Sequence, residues 1–381
     1  MLPIPAPAPL FEALLHLTFL VHLLFMNALL GGGAILLGSL FARGGDRELH
    51  EVVIERISKL LPTLFAGTVT FGVAPLLFLQ TLYGGFFYTS SILMGWPWFA
   101  TVPLLIVGYS AAYLNAFRGR RLGGGRRWAV VVAIGCVALV GFAFSNNTTL
   151  MLTPEKWGRL YFASPGGLHL NLGEALLWPR FLHMALGAVA VAGLLLALLA
   201  RRERADARLR EALVRRGLDT FLAVTVVNVM VGFWYLLALR EDVRRLFMGG
   251  SGHATGLLGL GVALSLVLLL LAWRVRAVPA RSLKPLSWVT LLTLAVMILM
   301  RDAARAGLPG GAGEPAGDPG ADPDAQPRDL RRAAGGGDRH GGVDGAQAAG
   351  GAVASGRAAS AAQRLQAPPR VPRRSAAPRQ K

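Results

Sequence analysis

Long, nearly uncharged runs recur along this chain and are separated only by short charged clusters, which limits the fold more than any other feature. Residues 12–41, 61–95, 97–117, 128–152, 179–200, 218–239, 254–273 and 285–300 each hold an apolar run near or above the roughly 17–25 residues that cross a bilayer. A backbone in hydrocarbon has no water to satisfy its N–H and C=O groups, so runs of this kind must be helices. The expected fold is all-α: a polytopic transmembrane bundle of about eight spans over residues 1–301. The first run follows a proline-rich start (Pro3, Pro5, Pro7, Pro9) with no basic region ahead of it, so it reads as a retained span and not a signal peptide.

Residues 302–381 contain no Phe, Tyr, Trp, Ile or Met and are dominated by Ala, Gly, Pro, Arg, Asp and Gln. Such a segment cannot bury enough apolar surface to offset its ordering entropy, so a disordered tail is expected there. An out-of-frame reading of a GC-rich gene produces the same mixture, which makes a frameshift that replaces a further helix one source of the tail.

The formal net charge of +18 raises the question of nucleic acid, and the placement of the charges answers it. Arginines and lysines gather in the connections 42–60, 118–127, 201–216 and 274–284, where they set membrane topology, and no nucleic-acid-binding motif is present. By the positive-inside rule these four connections face the cytoplasm and the N-terminus lies outside. The connections 85–96 and 153–178 are poor in basic residues and carry Trp and Tyr, as an outer interface requires, while 240–252 breaks the pattern with three arginines. In the connection 42–60, Leu49, Val53, Ile57 and Leu60 recur at helical spacing, which predicts an interfacial amphipathic turn. The single cysteine, Cys136, lies inside a span and has no partner for an internal disulfide.

Ionisable side chains inside a bilayer are costly and are functional candidates by default. Three histidines, His16, His22 and His183, are inside or at the ends of spans. His16 and His22 are six residues apart, about 240° around a helix, so they do not both face one cofactor directly. His22 precedes Asn27 and the glycines Gly31, Gly32 and Gly33, and His183 precedes Gly187 and Ala190; small residues on these faces leave room for a neighbouring backbone or a flat ring. Neutral imidazoles on two helices beside small residues suit axial ligation of a haem, and equally suit interhelical hydrogen bonds. No CxxCH occurs, so a haem would be non-covalent and of b type. Arg180, three residues before His183, either pairs with a haem propionate or snorkels to the headgroups. Gln80, Asn115, Asn146 and Asn147 read as interhelical hydrogen-bonding residues.

The segments HLLFMNALLGGG from His22, TFGVAPLLFLQTLYGGFFYTSSILMGWPW from Thr70 to Trp98, SNNTTLMLTPEKW from Ser145 to Trp157, and PRFLHMALGAVAVAG around His183 together resemble subunit I of the cytochrome bd quinol oxidases. The resemblance implies that His22 is a haem-ligating histidine of the first helix and that His183, on the fifth, ligates a low-spin haem b. It also implies a quinol substrate, a second membrane or cytochrome subunit as partner, and the bacterial inner membrane as location. The chain departs from the family in several places. The second span offers Gln80 where the family has carboxylates, the connection after the sixth span is short, and no methionine lies in 254–273, which leaves Met230, Met297 and Met300 as substitutes for a methionine ligand. The expected function is a haem-b subunit that passes electrons from quinol to a partner or to oxygen. A non-haem transporter or scaffold subunit is the competing class, and the intramembrane carboxylates, broken helices or repeats that would favour it do not stand out.

The alternating arginine clusters generate a direct test. A cysteine placed at position 122 should resist labelling by an impermeant thiol reagent applied from outside, and efficient labelling would reverse the topology.

Overall fold

The computed structural model describes residues 7–163, 166–202, 206–278 and 281–306, which are helical apart from short connections, with no strand among them. In chain order the helices are α1 (Ala8–Phe41), α2 (Arg47–Leu82), α3 (Gly84–Leu93), α4 (Gly95–Arg118), α5 (Arg126–Met151), α6 (Trp157–Ala163), α7 (Leu177–Arg201), α8 (Ala207–Ala238), α9 (Glu241–Arg245), α10 (Gly252–Ala277) and α11 (Lys284–Ala306). Eight of these, all but α3, α6 and α9, are long and apolar enough to span a bilayer. The expected all-α polytopic bundle is therefore the fold. The last turn of α11 carries Asp302 and Arg305, so the helix runs five residues into the segment read as tail; residues 307–381 lie outside the described residues.

Two expectations are corrected. The connection 42–60 is not a separate interfacial turn. From Arg47 onward it is the start of α2, capped by the Asp46 carboxylate, which accepts from the Leu49 N–H at 3.2 Å. The apolar stripe seen in the sequence packs into the bundle, with Val53, Ile57 and Leu61 buried. At 36 residues α2 is about 54 Å long at ~1.5 Å per residue, well beyond a hydrocarbon core of ~30 Å, so its charged first turns project past the apolar zone. The apolar run 61–95 is not one span either. The helix breaks at Tyr83, whose φ and ψ of −127° and 33° are not helical, just ahead of Gly84 and Gly85. The ten-residue α3 then lies beside α5 and α6, and its C-terminal end and the first turn of α4 are tied to the connection after α6: the backbone N–H of His169 donates to Leu93 O and that of Trp96 to Gly167 O, each at 3.1 Å.

Helix α1 is the centre of the bundle and packs against α2, α5, α7 and α11. Without a hydrophobic drive between helices in lipid, close backbone approach supplies the packing energy, and small residues permit it. A Cβ on Gly31 would lie 2.0 Å from the Ala188 carbonyl oxygen of α7. At the α7–α8 crossing, Gly193 and Gly217 sit face to face, a Cβ on either coming within 2.7 Å of the other's carbonyl oxygen. On the rest of α8, Val226, Phe233, Trp234 and Leu237 are all exposed.

Gly31→Val should force α1 away from α7 and lower stability by about 1–3 kcal/mol, the usual cost of overpacking. Gly141→Ala, where an added Cβ meets nothing within 4 Å, should be neutral or slightly stabilising. Thermal unfolding of the detergent-purified protein separates the two; equal melting temperatures would show that the α1–α7 crossing is looser than described.

Candidate functional site

The two sequence-predicted histidines are seated in the same manner on different helix pairs. His22, on α1, lies against α2, its Nδ1 at 3.0 Å from the Thr68 carbonyl oxygen. His183, on α7, lies against α8, with Nδ1 at 3.2 Å from the Asn228 carbonyl oxygen. In each case the ring rests over a glycine four residues beyond the acceptor. A Cβ on Gly72 would stand 2.9 Å from Cε1 of His22, and a Cβ on Gly232 would stand 3.1 Å from Cε1 of His183. The missing side chain makes the seat, and the carbonyl one turn earlier, which has a second lone pair to offer, fixes the ring. A neutral imidazole donating from Nδ1 presents an unprotonated Nε2, the tautomer that a metal ligand needs.

A cavity opens beside His22. Its wall is apolar over Leu15, Phe19, Pro75 and Leu79 and is completed by His16, Arg301 and Arg305. His16 and His22 thus border one cavity. About 9 Å of helix rise separates them, and the space is long enough to reach both. A second cavity shares Arg301 and Arg305 and adds Arg180, Tyr235, Arg240 and the threonines Thr148, Thr149 and Thr153. His183 is not on its wall; it lies one turn along α7 from Arg180, with its ring 6.1 Å from that of Tyr235.

Arg180 is 5% exposed and donates to the Tyr235 hydroxyl at 3.2 Å, so it is turned inward and does not reach for the headgroups. Arg301 lies 4.6 Å over the Phe19 ring, and Arg305 lies 4.8 Å over the Tyr83 ring while donating to Asp302 at 2.6 Å. Nε of all three arginines is buried without a hydrogen-bond partner among the described residues. Nearby Glu174 is held by Lys156 through a short ion pair, which leaves Asp302 as the carboxylate paired within the arginine group. Three interior guanidiniums against one carboxylate make a strongly cationic centre, suited to an anionic ligand with more than one acid group.

Met230 is not brought to either histidine. It stands on the lipid-facing side of α8, 60% exposed, opposite the Asn228–Gly232 face that holds His183. Met297 and Met300 pack on Gly261 of α10. Asn147 donates to Ser91 at 3.1 Å, Asn146 accepts from the backbone N–H of Asn171 at 3.0 Å, and Asn115 accepts from Arg126 at 3.0 Å, so these three serve packing between elements. No group of three or more His, Cys, Asp or Glu side chains converges among the described residues. A bare metal ion would therefore lack a ligand set there, whereas a haem brings its equatorial ligands and asks only for an axial imidazole.

Sequence reasoning missed Arg301, Arg305, Gly72 and Gly232. The arginines follow directly on the last apolar run and read as its polar flank; the glycines carry no signal until the histidine opposite each is known.

The fold and these cavities define a class: multi-pass α-helical membrane proteins that enclose polar sites among their spans. Neither a family model nor a curated protein matches the sequence. Among solved structures, the chain is similar to the bd oxidase from Geobacillus thermodenitrificans, with a TM-score of 0.59 and 12% identity over 79% of this chain and 86% of that one. The likeness is one of fold: a bd-oxidase-like arrangement of membrane helices.

Proposed function

We propose that this chain is a haem-b-binding membrane subunit of a quinol-linked respiratory oxidoreductase in the bacterial inner membrane, passing electrons from quinol through haem to a partner subunit or to oxygen. One observation carries the reading: His22 and His183 each commit Nδ1 to a backbone carbonyl over a glycine, and His22 does so on the wall of a cavity also lined by arginines. The bd-oxidase-like fold supports it independently.

The residues present fit such a group. His22 would hold a haem in the cavity it borders and His183 would hold a second, with Thr68 and Asn228 keeping each ring from rotating. Arg301 and Arg305, between the two cavities, and Arg180 on the His183 side would receive propionate carboxylates, which satisfy guanidinium nitrogens that now lack partners. When bound, haem supplies one-electron exchange that no side chain here provides. Phe19, Leu15 and Pro75 give the His22 cavity an apolar wall, against which charge interactions are stronger than in water. The short connection around α9 leaves little protein to cover a quinol on that face, which favours entry from the lipid.

Purified from membranes, the full chain should give a b-type reduced-minus-oxidised spectrum. His183→Ala should abolish the low-spin component and His22→Ala should remove or alter a second one, while His50→Ala, in the charged first turn of α2, leaves the spectrum intact. Packing histidines tolerate such a change, whereas an axial imidazole does not. A wild-type spectrum in His183→Ala, or no haem band in the unaltered protein, would turn the assignment toward a transporter or scaffold subunit.

A further inference from the structure

The second cavity lies at the end of the bundle where α5, α8 and α11 finish and α7 begins, and no histidine is on its wall. Arg180 comes to it from α7, and Arg301 and Arg305 come from α11, one helical turn apart and so on one face. Each of the three has a buried Nε with no hydrogen-bond partner among the described residues. Arg301 is within electrostatic reach of both other guanidiniums, so three positive charges converge on one space. That space is small, about 30 Å³, enough for roughly two water molecules at ~10–15 Å³ each.

The other polar groups around it are already engaged. Asp302 is held by Arg305 at 2.6 Å, and Glu174 is taken by Lys156. Arg240, at the rim, is shared between Glu155 at 3.7 Å and Asp242 at 3.2 Å. The hydroxyls of Thr148, Thr149 and Thr153 donate to backbone carbonyls of α5 at 2.9, 2.8 and 3.0 Å, which leaves them only lone pairs to offer. Tyr235 differs: its hydroxyl accepts from Arg180 at 3.2 Å and still has its own proton to give.

Guanidinium donors that have lost water and gained no acceptor are costly, and one anion placed among them relieves all three. A carboxylate has two oxygens in one plane and suits a single guanidinium fork. Donors that arrive from α7, α8 and α11 in different directions suit the tetrahedrally arranged oxygens of phosphate. We propose that this cavity is a phosphate-binding site, with Arg180, Arg301 and Arg305 as its cationic donors and the Tyr235 hydroxyl as a neutral one. The phosphate is carried by the headgroup of an anionic phospholipid or is the free inorganic ion. The rim is open to both: Arg240 is partly exposed, and Leu237, next to the lining residue Ala238, is exposed on the lipid-facing side of α8. The site goes beyond the haem reading and does not need it. A guanidinium has five N–H donors, so each arginine can serve a propionate with one edge and the phosphate with another.

The test is phosphate binding by the full-length protein purified in a maltoside detergent, which contains no phosphorus. Native mass spectrometry with added phosphatidylglycerol reads the lipid form, and equilibrium dialysis against radiolabelled inorganic phosphate reads the free form. One equivalent of the lipid per chain without inorganic phosphate identifies the headgroup. One equivalent of inorganic phosphate that the lipid does not displace identifies the free ion, and mutual displacement shows one seat that takes either. In each case Arg180→Gln should weaken binding about tenfold or more through loss of a charge-assisted donor, and Tyr235→Phe should weaken it severalfold. Arg215→Gln, an exposed arginine in the charged first turns of α8, should bind as the unaltered protein does. Should Arg180→Gln fail to accumulate, Tyr235→Phe carries the test, since it keeps the ring and removes only the hydroxyl. No equivalent bound in either arm, unaltered binding in the site variant, or an equal loss in Arg215→Gln overturns the proposal. The haem spectrum of the same samples reads the haem assignment separately, so either can fail while the other stands.

Discussion

Everything in this structure follows from the requirement that a chain in hydrocarbon satisfy its backbone inside each helix. Once eight long helices have done so, the interior has no polar groups except those that side chains bring, and these find one another. That is why the polar residues of the bundle fall into few places: the Arg126–Asn115–Ser58 contact near one end, the asparagines of α5 near the other, and the arginine–aspartate–histidine group between α1, α7 and α11. In the first two, the atoms left without partners belong to neutral side chains. In the third they are three arginine Nε atoms and a histidine nitrogen, so the unmet demand falls on charged or ionisable groups.

An interior group of this kind is expensive. Stripping water from an ion costs several kcal/mol even after relaxation, and a single carboxylate offsets only part of that for three guanidiniums. Stacking over Phe19 and Tyr83 returns a portion, of order 0.5–2 kcal/mol for each cation over a ring. The same centre borders both cavities.

The likeness to bd oxidase at 12% identity is a likeness of helix arrangement, and a few contact positions suffice to set such an arrangement. Lipid-facing positions accept almost any apolar residue, so most of each span is free to drift. Crossing points are not free. Gly31 against Ala188 and Gly193 against Gly217 allow backbone contact that no larger residue would permit. A few such positions fix which helices touch, and the histidines inherit their places from them.

The sequence by itself determined the number of spans and most of their boundaries, the second span and the start of the sixth excepted, because hydropathy and charge placement are local properties that a bilayer reads one segment at a time. It also located Arg180, though without deciding between the headgroups and the interior. Tertiary structure alone decided that, turning the side chain toward Tyr235; it likewise set Met230 on the lipid side, divided the run 61–95 at Tyr83, and joined the amphipathic stripe after Arg47 to α2. Only the packing of α11 onto α1 brought Asp302 to His16, across almost the whole length of the described chain. Seats such as Gly72 and Gly232 have no meaning until a partner helix lays a ring on them. The physical reason is the same throughout: insertion depends on each segment's own transfer free energy, whereas a site depends on which faces meet, and close contacts between distant glycines determine that.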